Sequence, residues 1–337
     1  MLERLSNEMG VSGDEGRIRE IIRTEMEGFV SRIEVDSMGN LYGFKKGSSG
    51  KKKKIMLAAH MDEVGFMVTG FESSGEIKFH TIGGIDPRVL LAKKVLIGNE
   101  KIPGVIGVKA VHLLKKEELG KPPKVEDLRI DAGFSSEKEV KEAIHIGDYV
   151  SFDTKFEDLN GLYKGKAFDD RSGCVVLIEL LKYDFPPDII FTFTVQEEVG
   201  LRGASIAGYK ISPDVAIAVE GTAAGDFPVK KDLGEFPAMG GGPVLTVMDR
   251  SIIVDRGILN HFIKTAEKNK IPYQLKRPNI GGTDAGRIHI SKKGVRGFVI
   301  ASPVRYIHSP VGLLKKQDFK DTIELLKKSL ETIEGVI

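Results

Sequence analysis

Ile55-Met-Leu-Ala-Ala-His60-Met-Asp62-Glu63 is a short apolar run closed by an imidazole and two carboxylates. Its leading residues, 55–59, have the length and composition of a buried strand, which places His60 and Asp62 at the strand's end. Three further apolar runs end in the same way: Thr192-Phe-Thr-Val-Gln-Glu197-Glu198, Val215-Ala-Ile-Ala-Val-Glu220, and the stretch leading to Tyr306-Ile-His308. Like charges gathered at one edge of a sheet repel unless a cation holds them, so the pattern predicts a two-metal hydrolase centre.

Outside these strands the apolar spacing changes to a helical period. Ser12-Gly-Asp-Glu15 has the spacing of a capping box and predicts a helix with Ile18, Ile21, Ile22 and Phe29 on one face. A second helix is expected after Arg171-Ser172, carrying Val175, Leu177, Leu180 and Leu181. Ile258, Phe262 and Ala266 mark a third, and Phe319, Ile323, Leu326, Leu330 and Ile333 mark the C-terminal one. Helices alternating with short apolar strands predict an α/β fold, an open mixed sheet covered by helices.

The middle of the chain differs. Strand-like pieces at 64–69, 76–81 and 149–152 are separated by Gly, Pro and polar turns, with little helical period. This predicts a β-rich domain inserted at a loop of the main fold. The expected boundaries are 1–63 for the first part of the catalytic domain, 64–154 for the insertion and 155–337 for the second part. Residues 115–129, with Pro122-Pro123, are expected to form a mobile surface loop.

Composition narrows the partners. The 337 residues carry 50 basic and 48 acidic side chains, too even a balance for coating nucleic acid or an acidic membrane. No run approaches the roughly 20 apolar residues that span a bilayer, and the first residues do not read as a secretory signal. A cytoplasmic location is the expectation. The single cysteine, Cys174, sits in an apolar helical stretch and reads as a buried small residue.

Positions i and i+2 of a strand face the same way, so His60 and Asp62 can meet. Either both bind metal, or Asp62 accepts the proton on the far ring nitrogen and fixes His60 for the metal, the commoner arrangement. Of Asp169 and Asp170 before the second helix, one can cap the helix while the other meets a cation. A single Asp can bridge two metals about 3.5–4 Å apart. Glu197 and Glu198 point in different directions, so one can bind metal while the other stands over the attacking water. Glu220 ends an apolar run and needs a partner. His308 is the natural remaining imidazole. His261, His80, His112, His145 and His289 compete with it, His112 being the one best placed to reach substrate, and Asp284 reads as a residue that orients others.

At these positions the chain resembles the glutamyl aminopeptidase and cellulase family M42 of metallopeptidases, whose members form tetrahedral assemblies. The matching elements are Ala59-His60-Met-Asp62-Glu63, Gly165-Lys-Ala-Phe-Asp169-Asp170-Arg171, Gln196-Glu197-Glu198-Val-Gly200, Gly281-Gly-Thr-Asp284-Ala and Tyr306-Ile-His308-Ser309. The resemblance implies a phosphorylase/hydrolase-like zinc peptidase fold and an aminopeptidase acting on short peptides. It implies two divalent ions per subunit, zinc or cobalt, with His60, Asp170 and Glu220 holding one and Asp170, Glu198 and His308 the other. Glu197 would be the general base on a metal-bridging water, and Asp62 would steady His60. Position 220 departs from the commonest pattern, which has Asp. The inserted domain would pair subunits into dimers, and the dimers would close into a homo-dodecamer.

Three rival readings share the same residues. A metal-dependent N-acyl amino acid deacylase or carboxypeptidase would accept a blocked N-terminus. An endoglucanase could use Glu197 with Asp62 or Glu198, but it leaves His60, His308 and Glu220 unexplained. A non-catalytic shell would need no base at 197. Side-chain specificity is expected from the loops at 221–248 and after Gly281.

Overall fold

The computed structural model describes residues 1–51, 53–116, 120–227, 236–276 and 281–337. Four apolar runs form the parallel centre of a mixed sheet: Asp188–Thr194, Lys54–His60, Val215–Ala223 and Arg296–Arg305, in that order. Leu41–Lys45 and Arg32–Val35 extend it antiparallel on one side, while Gly312–Lys315, Leu162–Gly165 and Glu157–Leu159 extend it on the other. Val244–Thr246 also pairs with Arg296–Arg305 and carries Gln274–Lys276 on its far edge.

Strand residues alternate between two cores, as a pleated sheet buried on both faces requires. Ile55, Leu57 and Ala59 enter one cluster with the helices Phe168–Leu180 and Lys316–Thr332. Met56 and Ala58 enter another with Ala204 and Ala207 of the helix Arg202–Ile211. The α/β sheet covered by helices is therefore present. Cys174 is buried, and its thiol donates to the carbonyl of His60 at 3.2 Å.

Between Lys54–His60 and the strand Leu162–Gly165 the chain forms a closed six-stranded barrel. It closes where Gly65–Phe71 pairs with Tyr149–Phe152. Its core holds Phe66 edge-on against Phe79 and Phe152, ring centroids 5.1 Å apart in both pairs. The barrel also contains a short helix, Glu137–Ala143, capped by Ser136. Of the stretch expected as a mobile loop, residues 117–119 lie outside the described residues, while Val125–Asp127 forms a helical turn and Arg129–Asp131 a barrel strand.

Where the barrel departs and returns, Glu63 and Lys166 meet in a buried ion pair with Nζ–Oε distances of 2.5 and 2.7 Å. Gly10 N and Ser151 Oγ also donate to Glu63, so the N-terminal segment, the barrel and the sheet share one carboxylate.

The first helix differs from its sequence reading. It runs Gly16–Met26 with no side-chain cap, and Phe29 lies beyond it, exposed. Ser12 and Glu15 are drawn away from the helix start by tertiary partners described below. Among the described residues no helix is long and apolar enough to cross a membrane.

Candidate metal centre

Register alone aligns the site. His60 pairs with Thr194 on one side, and Ala58 pairs with Ala218 on the other. Glu220 therefore falls level with His60 at the carboxyl ends of the parallel strands, where α/β sheets bind their ligands. Glu197 and Glu198 follow the strand Asp188–Thr194, and His308 follows Arg296–Arg305.

His60 is 1% exposed, and its Nε2 faces three carboxylates: Asp169 Oδ1 at 3.4 Å, Glu220 Oε2 at 3.7 Å and Glu197 Oε2 at 3.9 Å. Its Nδ1 lies 3.1 Å from the main-chain oxygen of Asp62 and 3.5 Å from that residue's carboxylate. Asp62 does stand behind the imidazole, with its carbonyl as the nearer acceptor. Its carboxylate oxygens take donors from Glu197 N at 3.0 Å, Glu198 N at 3.1 Å and Ser12 Oγ at 2.6 Å.

On the opposite side His308 Nε2 lies 3.2 Å from Glu198 Oε2 and 3.6 Å from Asp169 Oδ2. Asp169 thus presents one oxygen to each histidine. The sequence reading gave this joining position to Asp170, which lies with His60 and Glu220 in one donor group, while Asp169 is the residue whose two oxygens lie near both imidazoles. Asp170 turns its carboxylate onto main-chain amides, His60 N at 3.2 Å and Gly173 N at 2.9 Å, which leaves it near His60 and Glu220 but turned from His308. A Cβ at Gly173 would come within 2.4 Å of Asp170 Oδ1, so that packing needs glycine there.

Two groups of donors result, His60–Asp170–Glu220 and His60–Asp169–Glu198, with the donor atoms of each within 4.8 Å of one another. Burial, reinforced by neighbouring carboxylates, pushes the Glu220 and Glu197 carboxyls well above the usual range and that of Glu198 to about 7. Burial opposes the charged forms of His60 and His308 as well. Even so, Glu197 and Asp169 hold His60 well above its usual value, and Asp169 and Glu198 lift His308 to about 9. The Oε1 of Glu220 is buried without a hydrogen-bond partner among the described residues. A divalent cation fits such a cluster: it satisfies the orphaned oxygen and replaces the protons with charge. The imidazole and carboxylate donors are compatible with a dinuclear site and suit zinc, cobalt or manganese.

Backbone strain concentrates here. Ala167, Gln196, Leu201, Tyr306 and His308 all have positive φ without being glycine, as happens where the surroundings over-determine the chain. Part of that determination comes from Glu15, whose Oε1 accepts from Gly13 N at 2.8 Å and Gln196 N at 3.0 Å. Ser12 and Glu15 pin the Gln196–Glu198 turn, a role that their capping-box spacing disguises. Asp284 is fully buried and accepts from Thr194 Oγ1, and its Oδ1 has no hydrogen-bond partner among the described residues. Other histidines stand apart: His261 bonds Ser329 O at 2.9 Å, while His80, His112 and His145 are exposed on the barrel.

Above the cluster lies a cavity of about 390 Å³ reached by His60, Glu197 and Glu220 and walled by Phe236, Thr246 and Lys276. Phe236 and Thr246 belong to the expected 221–248 stretch, of which residues 228–235 lie outside the described residues. Lys276 was not foreseen.

The sequence profile of M42 glutamyl aminopeptidases matches residues 39–325. A TET aminopeptidase from the marine sediment archaeon Thaumarchaeota archaeon SCGC AB-539-E09 superposes with a TM-score of 0.94 at 35% identity, over 100% of this chain and 98% of that one. The TET1 peptidase of Pyrococcus horikoshii, which can assemble into a tetrahedron or a large octahedral shell, gives 0.86 at 33% identity and 98% coverage of both. The lysyl aminopeptidase of Pyrococcus furiosus is 33% identical over 99% of this chain and 97% of its own length. With a profile spanning most of the chain and relatives aligned nearly end to end, this chain belongs to the M42 glutamyl aminopeptidase family.

Proposed function

We propose that the protein is a dinuclear metallo-aminopeptidase that removes N-terminal residues from short peptides. The observation that carries this reading is the Asp169 carboxylate, 3.4 Å from one histidine nitrogen and 3.6 Å from the other. His60, Asp169 and Glu220 would hold one ion, and Asp169, Glu198 and His308 the other. Two such ions, when bound, polarise a scissile carbonyl and activate water for attack.

The chain's own residues supply the proton traffic. Glu197 has its amide fixed by Asp62 and its carboxylate directed into the cavity beside His60. It accepts the proton of the attacking water and returns it to the departing amine. Asp169, Glu198 and Glu220 would set three negative charges against four positive ones, with the buried carboxylates of Asp170 and Glu197 beside them.

We extend the proposal to assembly. Val105, Val108, Val111 and Leu113 are exposed on the barrel domain, an apolar surface suited to pairing subunits into dimers. A dodecamer of six dimers is the expected form, and light scattering of the purified protein measures it.

Hydrolysis of matched peptides with free and acetylated N-termini, on chelated enzyme before and after adding zinc or cobalt, tests the activity. Cleavage of the free peptides alone, restored by metal, is expected. Cleavage of the acetylated ones would favour a deacylase, and metal-independent cleavage of a β-glucan would favour an endoglucanase.

A further inference from the structure

The loop after the strand Asp188–Thr194 is held by three side chains that lie 135 to 181 residues earlier in the sequence. Val195 N donates to Asn40 Oδ1 at 3.0 Å, and Gln196 N to Glu15 Oε1 at 3.0 Å. Glu197 N and Glu198 N donate to the two oxygens of Asp62 at 3.0 and 3.1 Å. Four consecutive amides thus end on side-chain oxygens. The carbonyls of Val195, Gln196 and Glu197 accept from Gly203 N at 3.0 Å, Arg202 N at 3.1 Å and Leu201 N at 2.8 Å, further along the same loop. Asn40 also donates from Nδ2 to Gly203 O at 3.1 Å, which closes the neck of the loop.

Within this loop Gln196 has a φ of 54°, a left-handed conformation that a residue with a side chain keeps only when its surroundings hold it there. That torsion stands between the end of the strand and Glu197, so it sets the direction from which the Glu197 carboxylate enters the cavity. The amide at this torsion is the one that Glu15 holds, with Gly13 N on the same oxygen. Glu15 is 4% exposed, and burial, with the Asp62 charge, pushes its carboxyl up to about 6. Burying a second carboxylate beside Asp62 costs stability, and an apolar side chain would fill the space without that cost. What the carboxylate adds is a fixed acceptor for the Gln196 amide.

We propose that Glu15 is a positioning residue for the hydrolysis: by fixing the Gln196 amide it aims the Glu197 carboxylate at the attacking water. It touches no substrate and acts through Glu197. A misplacement of about 1 Å at a reacting group can cost about 100-fold in rate, so the aim of the base matters to turnover. This deepens the aminopeptidase reading and rests on it.

The test measures kcat and KM for alanyl, leucyl, glutamyl and lysyl p-nitroanilides on metal-loaded enzyme and counts the metal bound to each variant. Glu15→Met fills the space without an acceptor, and Glu15→Asp keeps the charge but withdraws it by one methylene. Both should bind as much metal as wild type and lose about 10- to 100-fold in kcat, with KM changed by less than about twofold. Glu15→Gln keeps an oxygen for the amide and should recover most of the rate. In the Glu197→Gln background, Glu15→Met should change the residual kcat by less than about twofold, because its effect runs through the base already removed. Wild-type kcat in Glu15→Met and Glu15→Asp, a loss repeated in full in the Glu197→Gln background, or a loss of metal overturns the inference and leaves the aminopeptidase reading standing. A Glu15→Gln as slow as Glu15→Met does the same. No cleavage of any of the four by metal-loaded wild type overturns both.

Discussion

The two carboxylate oxygens of Asp169 face different imidazoles, Oδ1 toward His60 at 3.4 Å and Oδ2 toward His308 at 3.6 Å. One side chain thereby links the end of the strand Lys54–His60 to the loop after Arg296–Arg305. The neighbouring Asp170 is held by backbone amides, and the peptide between the two residues is cis. A pair of adjacent acids thus divides into one that reaches across the site and one that anchors the helix start.

Glu197→Gln keeps the shape of the side chain and removes its ability to take a proton. The variant is expected to bind both metals with wild-type stoichiometry while kcat falls by about 10²–10⁴-fold. Near-normal turnover, or loss of metal, would remove Glu197 from the role of base.

Ser12 Oγ donates to Asp62, which holds the amides of Glu197 and Glu198. A hydrogen bond to a carboxylate is worth about 1.5–3 kcal/mol, so Ser12→Ala should lower kcat by roughly tenfold. KM should change little, and Ser12→Thr should restore the rate. Equal losses in Ser12→Ala and Ser12→Thr would mean that packing, and not the hydroxyl, matters there.

Metal removal should make stability depend on pH with a definite sign. Without ions, burial and neighbouring carboxylates raise Glu198 from 4.5 to about 7, while carboxylates outweighing burial raise His308 from 6.5 to about 9. In both cases the folded state binds protons that the unfolded state has released. Stability of the chelated protein should therefore fall as pH rises from about 4.5 to about 9. Metal displaces those protons, so the loaded protein should not follow this decline. Melting curves across that range, with and without chelator, provide the comparison.

Lys166 and Glu63 form a buried pair with 3% exposure on each side chain. Lys166→Met removes the nearer cation of the buried Glu63, leaving Arg171 Nη2 at 3.7 Å as its remaining ion-pair partner, and should destabilise by about 3 kcal/mol. Lys141→Ala, which breaks the exposed pair with Glu137, should cost less than about 1 kcal/mol. Chemical denaturation of the two variants should separate these effects; equal midpoints would contradict the account of the barrel junction.

How far the sequence could be read depended on the range of the forces involved. Strand ends at His60, Glu197, Glu220 and His308 were legible because buried parallel strands are continuous apolar runs, and a charge at the end of one is conspicuous. The choice between Asp169 and Asp170 was not, since both are the same acid at a helix start and only the orientation of the backbone separates them. Ser12 and Glu15 matched a local capping pattern, but Asp62 and Gln196, distant in sequence, offered stronger partners. Lys276 lies on a strand of three residues, too short to show any period.

Metal titration of Asp169→Asn tests the central claim most directly. Calorimetry or elemental analysis of wild type should count two ions per chain, and the variant should bind fewer than two or bind them at least tenfold more weakly. Two ions bound to Asp169→Asn with wild-type affinity would contradict a centre joined by this carboxylate.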